Sequence, residues 1–169
     1  MKYLGQLIAG GLVSLMAATA TFADTTIFLA RHAEKQDDGT RNPSLTEAGT
    51  ARAQTLADRL AGVGLKMVYS TDYKRTQETA APTAAKAGLA VTSYDPRALK
   101  EFAESLKGTD SPILVVGHSN TTPYLATLLS GKEFPMLAEH QYDHLYKVVL
   151  KDSGMAEATI SYIEPRSHP

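Results

Sequence analysis

Short apolar runs alternate with segments of helical periodicity along most of this chain. The most apolar run is PILVVG at 112–117, and shorter ones lie at 27–30, 66–70 and 89–94. An uninterrupted β-branched run is typical of a strand buried on both faces of a parallel sheet. Because such a sheet needs covering layers, the alternation predicts an α/β fold, a three-layer sandwich with a mostly parallel central sheet and helices on both faces.

The first two segments between these runs carry helix signals. Thr46 is a candidate N-cap for a helix that starts near Glu47. The buried stripe of that helix follows the i, i+3, i+4, i+7 spacing and consists of Ala53, Leu56, Ala57 and Leu60. A second helix is predicted from about Tyr73 to Gly88, bent or interrupted at Pro82.

The later segments predict two more helices and a hairpin. Asp95 before Pro96 predicts the N-cap and first turn of a helix that runs to about Leu106. Pro123 is expected to open a fourth helix, which Gly131 ends. The last two apolar runs predict a C-terminal hairpin with a frayed tail, and they lie at 144–150 and 157–163.

Residues 1–23 differ in composition from the rest of the chain. Lys2 is the only charged residue before Asp24, an apolar run follows it, and small residues lie near Ala23. This order is typical of a secretory signal peptide. We therefore expect a secreted or periplasmic protein in which residues 24–169 form one domain, with no stable membrane insertion after signal removal. An uncleaved membrane anchor is the alternative.

The overall composition excludes several kinds of partner and chemistry. Net charge is −1 with 21% charged residues, which gives no reason to expect a nucleic acid as partner. The chain has no cysteine, so disulfides, thiol catalysis and cysteine-ligated metals are excluded. Nothing in the sequence indicates an oligomeric state.

Basic side chains follow three of the predicted strands. Arg31 and His32 come directly after the first strand, Arg75 lies about a turn into the helix after the second, and His118 follows run 112–117. Open α/β sheets bind ligands at the carboxyl ends of their strands, so we expect these residues on one rim. Arginine matches phosphate oxygens bidentately. A histidine among arginines is pushed toward its neutral, nucleophilic form.

The segments RHAEK, LTEAG, YSTDYKRTQETA and VVGHSN together resemble the histidine phosphatase superfamily, also called phosphoglycerate-mutase-like, over residues 26–130. Their order and spacing are similar to those of the small branch. The resemblance implies hydrolysis of a phosphomonoester or phosphoramidate through a phosphohistidine intermediate on His32. Arg31, Arg75 and His118 would form the phosphate pocket, with no metal and no cofactor. The substrate would be a small phosphorylated molecule or a phosphoprotein.

Three further residues are candidates for the site. Ser70 and Asn120 lie at strand ends and are candidate substrate contacts, although short polar residues there also satisfy backbone groups. The leaving group needs a proton donor, and Asp95 is the candidate because it directly follows the third strand. Glu101, further along the chain, is the alternative. A site with no acid would favour a phosphoramidate substrate, and residues 36–44 and 132–143 would set specificity.

Other classes of function are weaker alternatives. A protein of the same fold could bind a phosphorylated ligand without turning it over. GHSNT at 117–121 nearly matches a serine-hydrolase elbow, but Thr121 stands where glycine is needed. His140 and His144 have the spacing of a metal-ligand pair, although the segment is predicted as strand. Mutase activity is disfavoured because the connections around the site are short.

The signal-peptide hypothesis makes a direct prediction about the exported protein. Mass spectrometry should find its N-terminus at Asp24 or Thr21, because Thr21-Phe22-Ala23 and Ala18-Thr19-Ala20 both fit the small-x-small cleavage pattern. An intact Met1 on a membrane-bound product would contradict the hypothesis.

Overall fold

The computed structural model describes residues 24–167, so the predicted signal peptide lies outside the described residues. Strands and helices alternate through this range until two final strands. In chain order they are β1 (Thr25–Arg31), α1 (Glu47–Leu60), β2 (Met67–Ser70), α2 (Lys74–Ala87), β3 (Val91–Ser93), α3 (Leu99–Leu106), β4 (Ile113–Gly117), α4 (Thr121–Ser130), β5 (His144–Leu150) and β6 (Ala156–Tyr162). No helix in residues 24–167 is long and apolar enough to cross a membrane.

The strands form one sheet in the order β3-β2-β4-β1-β5-β6. β3, β2, β4 and β1 are parallel neighbours, whereas β5 pairs antiparallel with β1 and then with β6. Every residue of β4 is buried, as the uninterrupted run in the sequence predicts. The mostly parallel sheet and its C-terminal hairpin are therefore confirmed.

Helices cover both faces of the sheet. On one face, α1 and α2 pack against β2, β4 and β1 through side chains that include Leu56, Ala80 and Val68. On the other face, α3 and α4 pack against the same sheet through side chains that include Leu106 and Leu125. The two separate clusters of buried side chains make this a three-layer sandwich, as predicted.

The sequence signals place α1 correctly. Thr46 is its N-cap, and its side-chain oxygen accepts a hydrogen bond from the Gly49 N–H at 3.0 Å. All four residues of the predicted stripe are buried. The second helix also ends where expected, because Gly88 adopts the left-handed conformation at its C-cap.

The prediction that Asp95 caps α3 is wrong. The helix begins at Leu99, with Ala98 at the N-cap position. The Asp95 carboxylate instead accepts the Arg97 N–H at 2.9 Å, and the Ala98 N–H donates to the Asp95 carbonyl at 3.1 Å. An aspartate bonded two residues ahead makes a local turn, and this turn takes the place of the first helical turn.

Pro82 does not interrupt its helix, and Pro123 does not lie where the sequence predicts. α2 runs without interruption through Pro82. α4 begins at Thr121, with Asn120 at the N-cap position, two residues before Pro123. Proline is tolerated within the first turn of a helix because those N–H groups have no partner inside the helix. Pro123 therefore sits in the opening turn of α4 and does not mark its first residue.

The tail is not frayed over its described part, which corrects the expectation. Arg52 on α1 donates through Nη1 to the carbonyls of Ile163 at 2.8 Å and Pro165 at 2.7 Å. Buried Asp143 accepts from Arg166 Nε at 2.9 Å and from the Ser167 N–H at 3.0 Å. These bonds join residues 163–167, here called the strap, to two separate parts of the domain.

Gly49 lets α1 approach the chain just after β1. A Cβ atom at this position would lie 2.2 Å from the Glu34 carbonyl oxygen, which belongs to backbone and has little room to move. The Thr46 N–H also donates to that carbonyl, at 2.9 Å. The glycine of the LTEAG segment is therefore a packing requirement.

We expect Gly49→Ala to destabilise the protein by about 1–3 kcal/mol, the usual cost of overpacking. Helix propensity alone predicts the opposite sign, a gain of roughly 0.5–1 kcal/mol. Exposed Ala48, one residue earlier in α1, is the matched control, and Ala48→Gly should cost only about 1 kcal/mol. Chemical denaturation measures both, and a Gly49→Ala variant as stable as the parent would contradict the packing argument.

Candidate active site

The parallel pairing of β1 with β4 assembles the site. Arg31 is in register with Gly117, and the His32 N–H donates to the Gly117 carbonyl at 2.9 Å. The two strands therefore end together, and the rings of His32 and His118 lie 5.6 Å apart. A cavity of about 430 Å³ opens at this rim, lined by Arg31, His32, Lys35, Tyr73, Arg75, Pro96, Arg97, His118, Ser119, Asn120, Thr121 and Glu139.

His32 is held in one tautomer. Its Nδ1 lies 2.8 Å from the Ala33 carbonyl oxygen, and since a carbonyl only accepts, Nδ1 carries the proton. Nε2 is then the ring nitrogen with the lone pair, available to a ligand in the cavity. Burial, with Arg31 and Arg75 nearby, lowers the pKa of His32 to about 3. The ring is therefore neutral and nucleophilic at physiological pH.

The buried guanidinium of Arg31 is held from one side by backbone. Nη1 donates to the carbonyls of Ala138, Glu139 and Gln141 at 2.8, 3.0 and 3.0 Å. The group also stacks on the Tyr142 ring, 4.1 Å from its centre. Nη2 contacts the Glu139 carboxylate at 3.2 Å, and buried Nε has no hydrogen-bond partner among the described residues.

Arg75 presents a similar edge from the start of α2. Its Nε is also buried without a partner in residues 24–167, and its Nη2 lies 3.5 Å from His118 Nδ1, a long contact. Its guanidinium lies 4.5 Å from the centre of the Tyr73 ring. The Nε–Nη2 edge of arginine is one of its bidentate forks. Arg31 and Arg75 thus each offer a fork in which one buried N–H lacks an acceptor. The oxygen atoms of an oxyanion would supply those acceptors.

His118 is oriented by hydroxyl groups behind it. Its Nε2 lies 2.9 Å from Thr71 Oγ1, which lies 2.9 Å from Thr76 Oγ1. Because Arg75 can only donate, His118 Nδ1 accepts and Nε2 carries the proton. Burial, and then the charges of Arg75 and Arg31, lower the pKa of His118 to about 4.

Two contacts fix the chain that follows His32. Thr79 on α2 accepts the Ala33 N–H at 3.0 Å and donates to the Arg75 carbonyl at 2.6 Å. Glu34 accepts from Arg52 Nε at 3.0 Å and from Arg52 Nη2 at 2.7 Å. The segment after His32 is therefore joined to both helices on its face of the sheet. These bonds give structural roles to Glu34 of the RHAEK segment and to Thr79 of the YSTDYKRTQETA segment.

The other candidates from the sequence do not all lie at the cavity. Asn120 lines the cavity, at the N-cap position of α4. Ser70 is fully buried and outside the lining, and its hydroxyl donates to the Thr71 carbonyl at 2.8 Å. Asp95 and Glu101 also lie outside the lining. The Asp95 carboxylate is exposed and paired with Arg97 at 2.9 Å, which lowers its pKa and makes it a poor proton donor.

The alternatives to phosphate chemistry gain no support from this geometry. Ser119 lines the cavity, but Asp143 and His144 are bonded to each other at 3.0 Å and are not among the lining residues. No group of three or more His, Asp or Glu side chains in residues 24–167 is arranged to hold a metal. His144 belongs to β5, and His140 precedes that strand.

Several lining residues escaped the sequence analysis. They are Lys35, Tyr73, Arg97, Thr121 and Glu139. Lys35 and Tyr73 lie within the quoted segments RHAEK and YSTDYKRTQETA, so proximity to the candidates was a usable signal. Glu139 lies in segment 132–143, which was expected to influence specificity but carries no periodicity that would position a side chain.

Comparison with known families now bears on this site. The model of the histidine phosphatase superfamily (branch 1) matches residues 27–103, which include the Arg31-His32 pair and Arg75. Over these residues the chain is similar to the histidine phosphatase superfamily. This match supports phosphatase activity. Comparison with curated protein sequences found no match.

Solved structures of several phosphatases share the fold. The protein histidine phosphatase SixA, complexed with tungstate, aligns with a TM-score of 0.66 at 20% identity, over 83% of this chain and 97% of that one. A phosphoserine phosphatase mutant from Entamoeba histolytica, in complex with phosphoserine, aligns at 0.62 and 14% identity, over 86% and 100%. The mycobacterial glucosyl-3-phosphoglycerate phosphatase aligns at 0.57 and 13% identity, over 82% and 98%.

The lowered pKa values of His32 and His118 predict how stability depends on pH. As pH falls below 6.5, the ordinary histidine value, the unfolded chain takes up protons that the folded protein refuses. The free energy of unfolding should therefore fall with pH until the folded values, about 3 and about 4, are reached.

Histidine NMR titration tests the origin of this dependence, together with denaturation at pH 7 and pH 5. Both rings should stay neutral at pH 5, and His32→Asn should reduce the loss of stability between the two conditions. A His32 ring that titrates near 6.5 would show that burial does not act on it as described.

Proposed function

We propose that this protein is a metal-independent phosphatase that transfers the phosphoryl group of a phosphomonoester or phosphoramidate to His32 Nε2 and then to water. The observation that carries the proposal is the state of His32. Its Nδ1 is bonded to its own chain, so Nε2 has the lone pair, and burial beside two arginines lowers the pKa of the ring and keeps it neutral. A neutral imidazole beside two open arginine forks is arranged to attack a bound phosphate.

The first step forms a bond from Nε2 to phosphorus and breaks the bond from phosphorus to the leaving group. The forks of Arg31 and Arg75 hold the phosphoryl oxygens, on which negative charge is spread during transfer. Such preorganised donors act most strongly in a site that excludes water. His118 lines the same cavity as a neutral ring at the end of β4. The two guanidinium groups supply the charge that a metal would otherwise supply.

The second step is hydrolysis of the phosphohistidine. Water attacks phosphorus from the side that the leaving group vacated, and the phosphorus–nitrogen bond breaks with its electron pair returning to Nε2. Nδ1 stays bonded to the Ala33 carbonyl throughout, so the ring keeps its orientation between the two steps. Fixed orientation is where an enzyme contributes most to an in-line transfer.

The likeness to SixA and to phosphoserine phosphatase supports both kinds of substrate. One is named as a protein histidine phosphatase, and the other was solved with a phosphomonoester. The cavity is open enough for either, since Lys35 and Arg97 at its mouth are partly or fully exposed. The alternative is a protein that binds a phosphorylated ligand without turnover. The neutral His32 favours catalysis, because binding of a phosphate alone would gain from one more cation beside Arg31 and Arg75.

Substitution of the three central residues tests the proposal, with assays run in EDTA. His32→Ala should lose nearly all turnover of p-nitrophenyl phosphate while the domain stays folded. Arg31→Ala and Arg75→Ala should each lose roughly 2–4 kcal/mol of transition-state stabilisation. Arg59→Ala, on the exposed surface of α1, is the matched arginine control and should leave turnover unchanged.

Rapid quenching with ³²P-labelled substrate identifies the intermediate. The label should map to His32 and be acid-labile and alkali-stable, as a phosphoramidate is. A label on Ser119 would replace this mechanism with attack by a serine. Binding of phosphate with no turnover of any ester or phosphoramidate would leave the binding-protein alternative.

A further inference from the structure

One carboxyl group lines the cavity among residues 24–167, and it belongs to Glu139. The two carboxyl groups that the sequence suggests as proton donors, Asp95 and Glu101, both lie outside the lining. The Asp95 carboxylate also accepts hydrogen bonds from Arg97 Nε at 3.0 Å and from Arg97 Nη2 at 2.9 Å. A leaving alcohol needs a proton, so the position of Glu139 has a chemical consequence.

Glu139 is held at its backbone and exposed to solvent at its carboxylate. Its carbonyl accepts from Arg31 Nη1 at 3.0 Å, which anchors the residue beside the Arg31 guanidinium. Its carboxylate lies 3.2 Å from Arg31 Nη2 and 3.8 Å from Lys35 Nζ, and its side chain is 74% exposed. Arg31 is buried in this pair, but the Glu139 carboxylate itself faces solvent, so water can replace Nη2 as its partner.

A bound phosphate changes the surroundings of this carboxylate. Arg31 Nη1 is taken by three carbonyls, so the phosphate must use Nε and Nη2. Nη2 carries two N–H groups, so the phosphate and the Glu139 carboxylate meet at one nitrogen, and the carboxylate lies next to the phosphoryl oxygens. Two anionic groups at contact distance repel each other, and a proton shared between them relieves that repulsion.

We propose that Glu139 is the proton donor to the leaving group, an assignment that rests on the proposed function. His32 Nε2 bonds to phosphorus, and the bond from phosphorus to the leaving oxygen breaks with its electron pair going to that oxygen. The oxygen takes the proton of the Glu139 carboxyl and departs as an alcohol. In the second step the attacking water gives a proton to the Glu139 carboxylate, phosphate leaves, and the nucleophile and donor return to their starting states.

The test is the dependence of rate on the leaving group. The assay compares p-nitrophenyl phosphate, phenyl phosphate and an alkyl phosphate. In this order the leaving group becomes more basic and depends more on a donated proton. Glu139→Gln keeps the shape of the side chain and removes the proton. It should slow the alkyl phosphate by about 10²–10⁴-fold, the usual contribution of a general acid. p-Nitrophenyl phosphate should slow no more than a few-fold, because p-nitrophenolate leaves without a proton.

Controls separate this role from its alternatives. Glu133→Gln removes an exposed carboxyl from the same segment outside the cavity lining and should leave the whole series unchanged. If Glu139→Gln alters all three rates equally, or only tightens inhibition by inorganic phosphate, Glu139 competes for Arg31 and donates no proton. If Asp95→Asn steepens the dependence and Glu139→Gln does not, the assignment belongs to Asp95.

The same assay distinguishes failure of this proposal from failure of the proposed function. A wild-type protein that hydrolyses the series with a phosphohistidine on His32, but whose Glu139→Gln variant keeps the wild-type dependence, contradicts the donor assignment alone. A wild-type protein that hydrolyses none of the substrates and forms no phosphoenzyme contradicts the proposed function, and this proposal with it.

Discussion

The parallel pairing of β1 with β4 is the constraint on which the site depends. This pairing brings Arg31 and His32 level with His118, which lies more than eighty positions later in the chain. It does so through the register of Arg31 with Gly117 and the hydrogen bond from the His32 N–H to the Gly117 carbonyl. α2 then adds its arginine from the neighbouring strand connection. Because β4 is buried along its whole length, the register is fixed by packing on both faces, and the close-packed core keeps the spacing of the candidate catalytic groups constant.

A buried arginine is costly unless its charge is satisfied, and this fold satisfies Arg31 in an unusual way. Three carbonyls and an aromatic face surround the Nη1 side, whereas only an exposed carboxylate approaches the other side. Carbonyl dipoles stabilise the cation without cancelling its charge, so the charge remains available to a substrate. The segment that supplies them is in turn held by Asp143, whose buried carboxylate is bonded to the strap.

The fold was largely predictable from the sequence because its signals are local and periodic. α1 shows this most clearly, since its cap and its buried stripe follow from residue spacing alone. The start of α3 was mispredicted because an aspartate before a proline is compatible with two local structures, a helix cap and a turn. Which one forms is decided by Arg97, whose N–H and guanidinium both bond the same carboxylate.

The candidate site was predictable only where its residues follow strands. The rule that ligands bind at the carboxyl ends of parallel strands placed Arg31, His32 and His118 together. It could not place Glu139, which meets Arg31 from 108 positions away through a segment without regular structure. Arg52 escaped for a different reason. It lies within the periodic pattern of α1, and nothing in that pattern distinguishes a buried cation from an exposed one.

The strap links two supports of the candidate site that lie far apart in the sequence. Residues 163–167 bond to Arg52 on one side and to Asp143 on the other. Arg52 also bonds Glu34, which follows His32 closely in the chain, and Asp143 follows the segment whose carbonyls bond Arg31. Proteolytic removal of the strap would therefore take a hydrogen-bond partner from both supports at once, although the strap contributes no residue to the cavity lining.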